Sequence, residues 1–107
     1  MKKLIGKGAS MGEVIGKVKV MPSFSSARKK FEEGCIIVTL TTSPVWVPYM
    51  SKAKAIITEE GGLLSHAAIV SRELGIPCIV GVKEATKILK DDQEVKLNGQ
   101  TGEIILL

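Results

Sequence analysis

Residues 59–81 read Glu-Glu-Gly-Gly-Leu-Leu-Ser-His-Ala-Ala-Ile-Val-Ser-Arg-Glu-Leu-Gly-Ile-Pro-Cys-Ile-Val-Gly and hold the one histidine of the chain, His66. Just upstream, 55–58 (Ala-Ile-Ile-Thr) is apolar and partly β-branched, the pattern of a buried strand. Gly61 and Gly62 break that run and open backbone conformations that other residues resist. Ser65 is a good N-cap and places His66 at the first helical position. Ala67, Val70 and Leu74 recur at i, i+3 and i+7, which predicts the inward face of a helix. Gly75 suits a left-handed helix end, and Pro77 prevents continuation. Residues 78–80 read as a second short strand. The unit is strand, glycine turn, helix, strand.

That placement sets the chemistry expected of His66. A helix start offers unpaired N–H groups and the positive end of the helix dipole, a setting that stabilises phosphate. It also favours the neutral imidazole, the form able to attack phosphorus, while nearby N–H groups hold the oxygens of the acquired phosphoryl group. Taken alone, a helix-start histidine is more often a locally bonded residue than a reactive one, because one titratable group does not make a site.

The rest of the chain bounds the possibilities. Its 107 residues suffice for one domain with one core, and a 45% apolar content should let that core form. The aromatic residues are Phe24, Phe31, Trp46 and Tyr49 alone, so the core must be mostly aliphatic. No run approaches membrane-spanning length, and the basic start, Met1-Lys2-Lys3, is not followed by the apolar stretch of a signal peptide. A cytoplasmic protein without membrane contact is expected. Cys35 and Cys78 lack any CxxC or HxxxH context, so buried thiols are expected in place of a disulfide or a zinc site with His66. The net charge of +4 is lopsided: 1–30 carry eight Lys/Arg against Glu13 alone, whereas 31–107 carry seven against ten acids. No stacking aromatics accompany the basic third, which argues against nucleic acid and leaves a solvated face or a docking surface for an acidic partner.

Segment 6–12 (Gly-Lys-Gly-Ala-Ser-Met-Gly) reads as loop, and no Gly-Lys-Ser/Thr ending makes it a Walker motif. Residues 14–20 alternate as a half-buried strand with Lys17 and Lys19 outward. A short surface helix is expected over 26–33, then an apolar strand over 35–40. Ser43 and Pro44 form a helix-start pair, N-cap and N1, with Trp46, Val47 and Met50 facing inward. A helix over 84–89 should bury Ala85, Ile88 and Leu89. Strands over 94–97 and 103–106 flank Asn98-Gly99-Gln100-Thr101-Gly102, a hairpin signal. The residues therefore predict a single α/β domain with a mixed sheet and short helices.

The run Gly61-Gly62-x-x-Ser65-His66-Ala67-Ala68-Ile69-Val70-x-Arg72-Glu73-x-Gly75-Ile76-Pro77 resembles the phosphohistidine signature of the PEP-utilising enzymes. That family includes phosphoenolpyruvate synthase, pyruvate phosphate dikinase, enzyme I of the sugar phosphotransferase system and rifampin phosphotransferase. The 6–12 segment, with Met11 where proline is common, and the stretch through Thr42-Ser43-Pro44 look similar too, so the resemblance runs from 8 to 105. It implies the swivelling β/β/α fold, standing here as one domain over 1–107. It also implies that His66 is phosphorylated during turnover, that Gly61 and Gly62 let backbone approach the phosphate, and that Ser65 caps the helix and donates to a phosphoryl oxygen. Thr42 and Ser43 would then lie beside the site, or simply cap. Arg72, about 240° around the helix from His66, is expected to be structural or docking, and Glu73 either orients a ring nitrogen or is solvated. Family enzymes add an ATP-grasp domain and a PEP/pyruvate barrel. Mg²⁺ and ATP or phosphoenolpyruvate are therefore expected on partner domains, with no cofactor and no metal on this chain. One departure matters: family members often carry Arg-Thr or Met-Thr where this chain has Leu63-Leu64. Two other readings stay open, a regulatory or interaction module that keeps the fold without phosphotransfer, and a swivelling subunit of an unrelated enzyme such as a dehydratase, working through Ser65.

Overall fold

The computed structural model describes residues 2–107. Strands β4 (Ile36–Thr39), β5 (Ala55–Thr58) and β6 (Cys78–Val80) lie parallel, with Ile37 opposite Ile56 and Ile57 opposite Ile79. All three are buried throughout, and apolar up to the threonine that ends β4 and β5, because both of their faces are covered. One face, with Ile37, Ile56, Cys78 and Val80, meets Met21, Ala27, Trp46, Met50, Ala67 and Ala68 from the helical layer. The other, with Ile36, Val38, Ala55, Ile57 and Ile79, meets Val95, Leu97 and Ile104 from the antiparallel layer. The helical layer consists of α1 (Phe24–Lys30), a 3-10 turn at Pro44–Trp46 running into α2 (Val47–Met50), and α3 (His66–Leu74). All four aromatic side chains join α1 to α2, Phe24 against Trp46 and Tyr49, and Phe31 against Tyr49. The result is the β/β/α layering with a mixed sheet.

Strand β3 (Glu13–Val20) joins the two β layers. Its first half pairs antiparallel with β7 (Glu94–Asn98), and its last residues, Val18 to Val20, pair parallel with β4. The strand order is β1-β8-β7-β3-β4-β5-β6-β2, where β1 is Lys3–Ile5, β2 Lys7–Ser10 and β8 Glu103–Leu106. The two outermost strands, β1 and β2, are consecutive in the chain with Gly6 alone between them, so the chain itself bridges the open edges. A Cβ at Gly6 would lie 2.7 Å from the Val80 carbonyl oxygen and 2.5 Å from Val82 Cγ2, which leaves no room for a side chain.

Several expectations are corrected. Segment 6–12 is not all loop, since Lys7–Ser10 forms β2 and pairs antiparallel with β6. Gly8 sits in this strand because the 99–100 turn crosses it, its backbone oxygens 2.5 Å from where a Cβ would stand. Helix α1 starts earlier than 26–33, capped by Ser23, whose hydroxyl accepts from Ser26 N–H. It ends at Lys30, where Phe31 turns extended to pack on Tyr49. Helix α3 buries Ala67, Ala68 and Ser71 and leaves Leu74 exposed, because small residues let it sit close to β2 and β6. In α4 (Ala85–Ile88) Ala85 is inward and Leu89 just beyond it is buried, while Ile88 is exposed. Asp92, in the turn that follows α4, adopts φ +68, a left-handed conformation that non-glycine residues seldom take.

Candidate functional site

The site forms where the parallel strands end. Thr39 and Thr58, opposite one another at the ends of β4 and β5, are fully buried. Each turns its hydroxyl onto the loop that follows: Thr39 donates to the Thr41 carbonyl at 3.5 Å and Thr58 to the Glu60 carbonyl at 2.7 Å. The two loops are then laced together, Glu59 N–H to the Thr39 carbonyl at 3.1 Å and Glu60 N–H to that of Leu40 at 2.9 Å. This brings Thr42, from the first loop, against His66, at the end of the second. The Thr42 hydroxyl and His66 Nδ1 are 2.8 Å apart, and Thr42 is buried.

Gly61 adopts φ +107, and an added Cβ would lie 2.9 Å from Ser65 Cβ, so glycine is required there by both conformation and space. Gly62 is different: a Cβ would meet no protein atom within 4 Å. Ser65 is the N-cap of α3, and its hydroxyl accepts from Ala68 N–H at 3.4 Å while donating to the Gly62 carbonyl at 2.8 Å. Its one proton is therefore engaged within the loop. This bond occupies the proton that the sequence reading assigned to a phosphoryl oxygen. The N–H groups of His66 and Ala67 open the helix, where no intrahelical acceptor exists for them.

Ser43 lies one residue beyond Thr42, is exposed, and makes no side-chain cap bond to the turn it precedes. Its expected capping role is corrected to a positional one, with Pro44 setting the turn. Arg72 does not reach the imidazole. Its two terminal nitrogens donate to the carbonyls of Ala9, at 2.9 Å, and Leu63, at 2.7 Å. Glu73 is exposed on α3, and Thr42 takes the ring nitrogen that Glu73 was an alternative for. Cys35 and Cys78 are buried free thiols, and burial pushes the Cys78 thiol up to about 11. No group of three or more His, Cys, Asp or Glu side chains that could hold a metal ion occurs among the described residues. No helix among them is long and apolar enough to cross a membrane.

Sequence reasoning missed the two buried threonines and the support behind the second loop. There Glu59 accepts from Thr86 N–H at 2.8 Å and from the Thr86 hydroxyl, in place of a local cap for α4. The pairing of Thr39 with Thr58 was signalled by threonine closing two apolar runs. The Glu59–Thr86 contact spans 27 positions and left no local signal.

Comparison with known proteins agrees with this architecture. Residues 31–102 match the family described as PEP-utilising enzyme, mobile domain. The chain is 53% identical over 97 residues to phosphoenolpyruvate synthase of Aeropyrum pernix, covering 91% of this chain and 12% of that protein. It thus spans a small part of the curated relatives it matches. Among solved structures, the aconitase X of Thermococcus kodakaraensis in its holo-form superposes with a TM-score of 0.76 over 100% of this chain and 99% of that one. At 21% identity that is a likeness of fold alone. An NMR structure of an Enzyme I protein superposes with a TM-score of 0.60 and 28% identity over 70% of this chain and 31% of that one. With the family pattern matched across two strand-end loops and His66 at the helix start between them, the chain belongs to the PEP-utilising enzyme mobile-domain family.

Proposed function

We propose that this domain is a phosphoryl carrier, accepting a phosphoryl group on His66 and passing it between the active sites of partner domains in a phosphoenolpyruvate synthase- or dikinase-like system. The observation that carries the reading is the 2.8 Å contact between Thr42 and His66 Nδ1. The contact fits either tautomer; in the one this reading takes, Nδ1–H donates to Thr42 Oγ1, the lone pair of the imidazole lies on Nε2, and Nε2 is the nucleophile. Attack forms an Nε2–P bond while the bridging P–O bond of the donor breaks, its electron pair leaving with the donor oxygen. The imidazole gains the positive charge and Nδ1 keeps its proton, shared with Thr42. The N–H groups at the start of α3 face the phosphoryl oxygens, so the chain supplies position and charge stabilisation, the main needs of phosphoryl transfer. Gly62 leaves the approach open.

The donor, ATP or phosphoenolpyruvate, and the Mg²⁺ that neutralises its charge belong in this reading to the partner nucleotide-binding and PEP/pyruvate-binding domains. The lysine-rich residues 1–30 would steer the encounter with an acidic partner surface, and that steering would weaken with salt. Val45, Leu63, Leu64 and Ile69, all exposed on the segments that carry Thr42 and His66, would line the contact.

The test is labelling in cell extract with radioactive phosphoenolpyruvate or ATP. The expected result is phosphate on this chain that is labile in acid, stable in base and absent from His66→Ala. Label that persists in His66→Ala, or that resists acid, contradicts it.

A further inference from the structure

We infer that Arg72 is a positioning residue for phosphoryl transfer, its guanidinium clamping two irregular backbone carbonyls so that the loop before His66 meets a phosphoryl group with N–H groups and not with a carbonyl oxygen. The inference rests on the reading of His66 as phosphoryl acceptor.

Three observations lead to it. The first is where the carbonyls of the loop go. That of Glu60 accepts from Thr58, and that of Gly62 accepts from both the N–H and the hydroxyl of Ser65. The Leu63 carbonyl, three residues before the imidazole, accepts from Arg72 at 2.7 Å. A carbonyl oxygen released beside a phosphoryl group would repel its oxygens and work against the helix N-terminus.

The second is the other end of the clamp. Strand β2 pairs Gly8 with Ile79 and then Ser10 with Cys78, so Ala9 is the extra residue of a bulge. Ala9 is buried, and its carbonyl is taken by the other terminal nitrogen of Arg72 at 2.9 Å. The loop is thereby fixed to a strand of the sheet rather than to another loop.

The third is geometry. Arg72 and His66 share helix α3, so the clamp is rigid with respect to the imidazole. Holding two separate carbonyls at once uses the two terminal nitrogens of a planar guanidinium; a lysine offers one nitrogen for both.

The test uses potassium phosphoramidate, a small donor that needs no partner protein. Nε2 attacks its phosphorus, the P–N bond breaks, and ammonia leaves with the electron pair while Nδ1 keeps its proton. The rate of acid-labile labelling of His66 is measured for wild type, Arg72→Lys and Arg72→Gln, below the melting transition of each. The expected result is labelling about tenfold slower in Arg72→Gln, with Arg72→Lys in between. A purely structural arginine would lower the melting temperature and leave the rate of the folded protein unchanged, so a wild-type rate in folded Arg72→Gln overturns the inference and leaves the acceptor reading standing. Absence of label on wild-type His66 overturns the acceptor reading itself, and this inference with it. If Arg72→Gln does not fold, a wild-type rate in Arg72→Lys overturns the inference. If neither variant folds, Arg72 is a folding residue and the inference is overturned.

Discussion

The parallel strands β4, β5 and β6 and the antiparallel strands β7 and β8 share one core, yet the candidate chemistry gathers on the parallel set alone. Parallel strands all end at the same edge, and each must be followed by a crossing loop and a helix. Two such loops bring Thr42 to the start of α3, where His66 stands. The antiparallel pair turns back through the tight 98–102 connection, in which Asn98 Oδ1 accepts from the N–H groups of Gln100 and Thr101. That turn is spent on packing against Gly6 and β2, where Gly99 and Gly102 leave no space for a side chain. The antiparallel strands carry exposed ion pairs, Lys3 with Glu103 and Lys96 with Glu13, of the kind that contribute little. The difference shows that direction of pairing, more than core composition, decides where loops and helix starts can accumulate.

The sharpest contrast lies in stability. Ile56 is fully buried between the parallel sheet and the helices, so Ile56→Ala should lose about 3–4 kcal/mol in urea unfolding. Ile15, 49% exposed on the antiparallel half of β3, should lose no more than about 0.5 kcal/mol as alanine. Comparable losses at the two positions would break the comparison.

The two glycines of the loop sharpen it. Gly61→Ala places a Cβ at φ +107 and against Ser65, and should destabilise by about 1–3 kcal/mol while disturbing the cap. Gly62→Ala meets no protein atom, so the melt should be unchanged while labelling of His66 slows. A wild-type labelling rate in Gly62→Ala would remove Gly62 from the phosphoryl path.

Thr42 separates orientation from fold. Thr42→Val removes the partner of Nδ1 and should slow labelling about tenfold, with Thr42→Ser restoring most of the rate. Equal rates in all three proteins would mean that the imidazole needs no such holding.

The smallest effect belongs to the far side of the molecule. Burial works to raise the pKa of the Asp91 carboxyl, but Lys30, 2.7 Å away, and the Val20 N–H outweigh it and hold the group below its usual value. A carboxyl whose folded pKa is depressed contributes stability that is present above its unfolded pKa and lost as pH falls through the folded one. The pair is partly solvated, so Asp91→Asn should cost about 0.5 kcal/mol at neutral pH and nothing once the carboxyl is protonated in both the folded and the unfolded protein. Chemical unfolding at neutral pH and near pH 2 measures this, and a loss that persists in acid would assign it to packing instead.

How much of this was legible in the sequence depended on range. The strand, turn, helix, strand unit over 55–80 was readable because Ser65, Gly75 and Pro77 act within a few residues, and the structure has the same unit. Glycine misled at 6–12, since Gly6 and Gly8 mark close approach of other backbone inside a strand edge and not a loop. Leu74 misled because periodicity alone cannot tell which face of a short helix the small residues will dock. Thr42 could be named only through resemblance, and its contact to His66 is 24 positions long. The Arg72 clamp spans 63 positions to a bulge that no residue pattern announces.

The central claim is that Thr42 holds Nδ1 and leaves Nε2 to take the phosphoryl group. It is tested most directly by ³¹P–¹⁵N correlation NMR on ¹⁵N-histidine protein after phosphorylation. With one histidine in the chain the spectrum has one candidate residue. The expected spectrum shows phosphorus coupled to His66 Nε2, with Nδ1 still protonated. Phosphorus coupled to Nδ1, or to no histidine nitrogen, would contradict it.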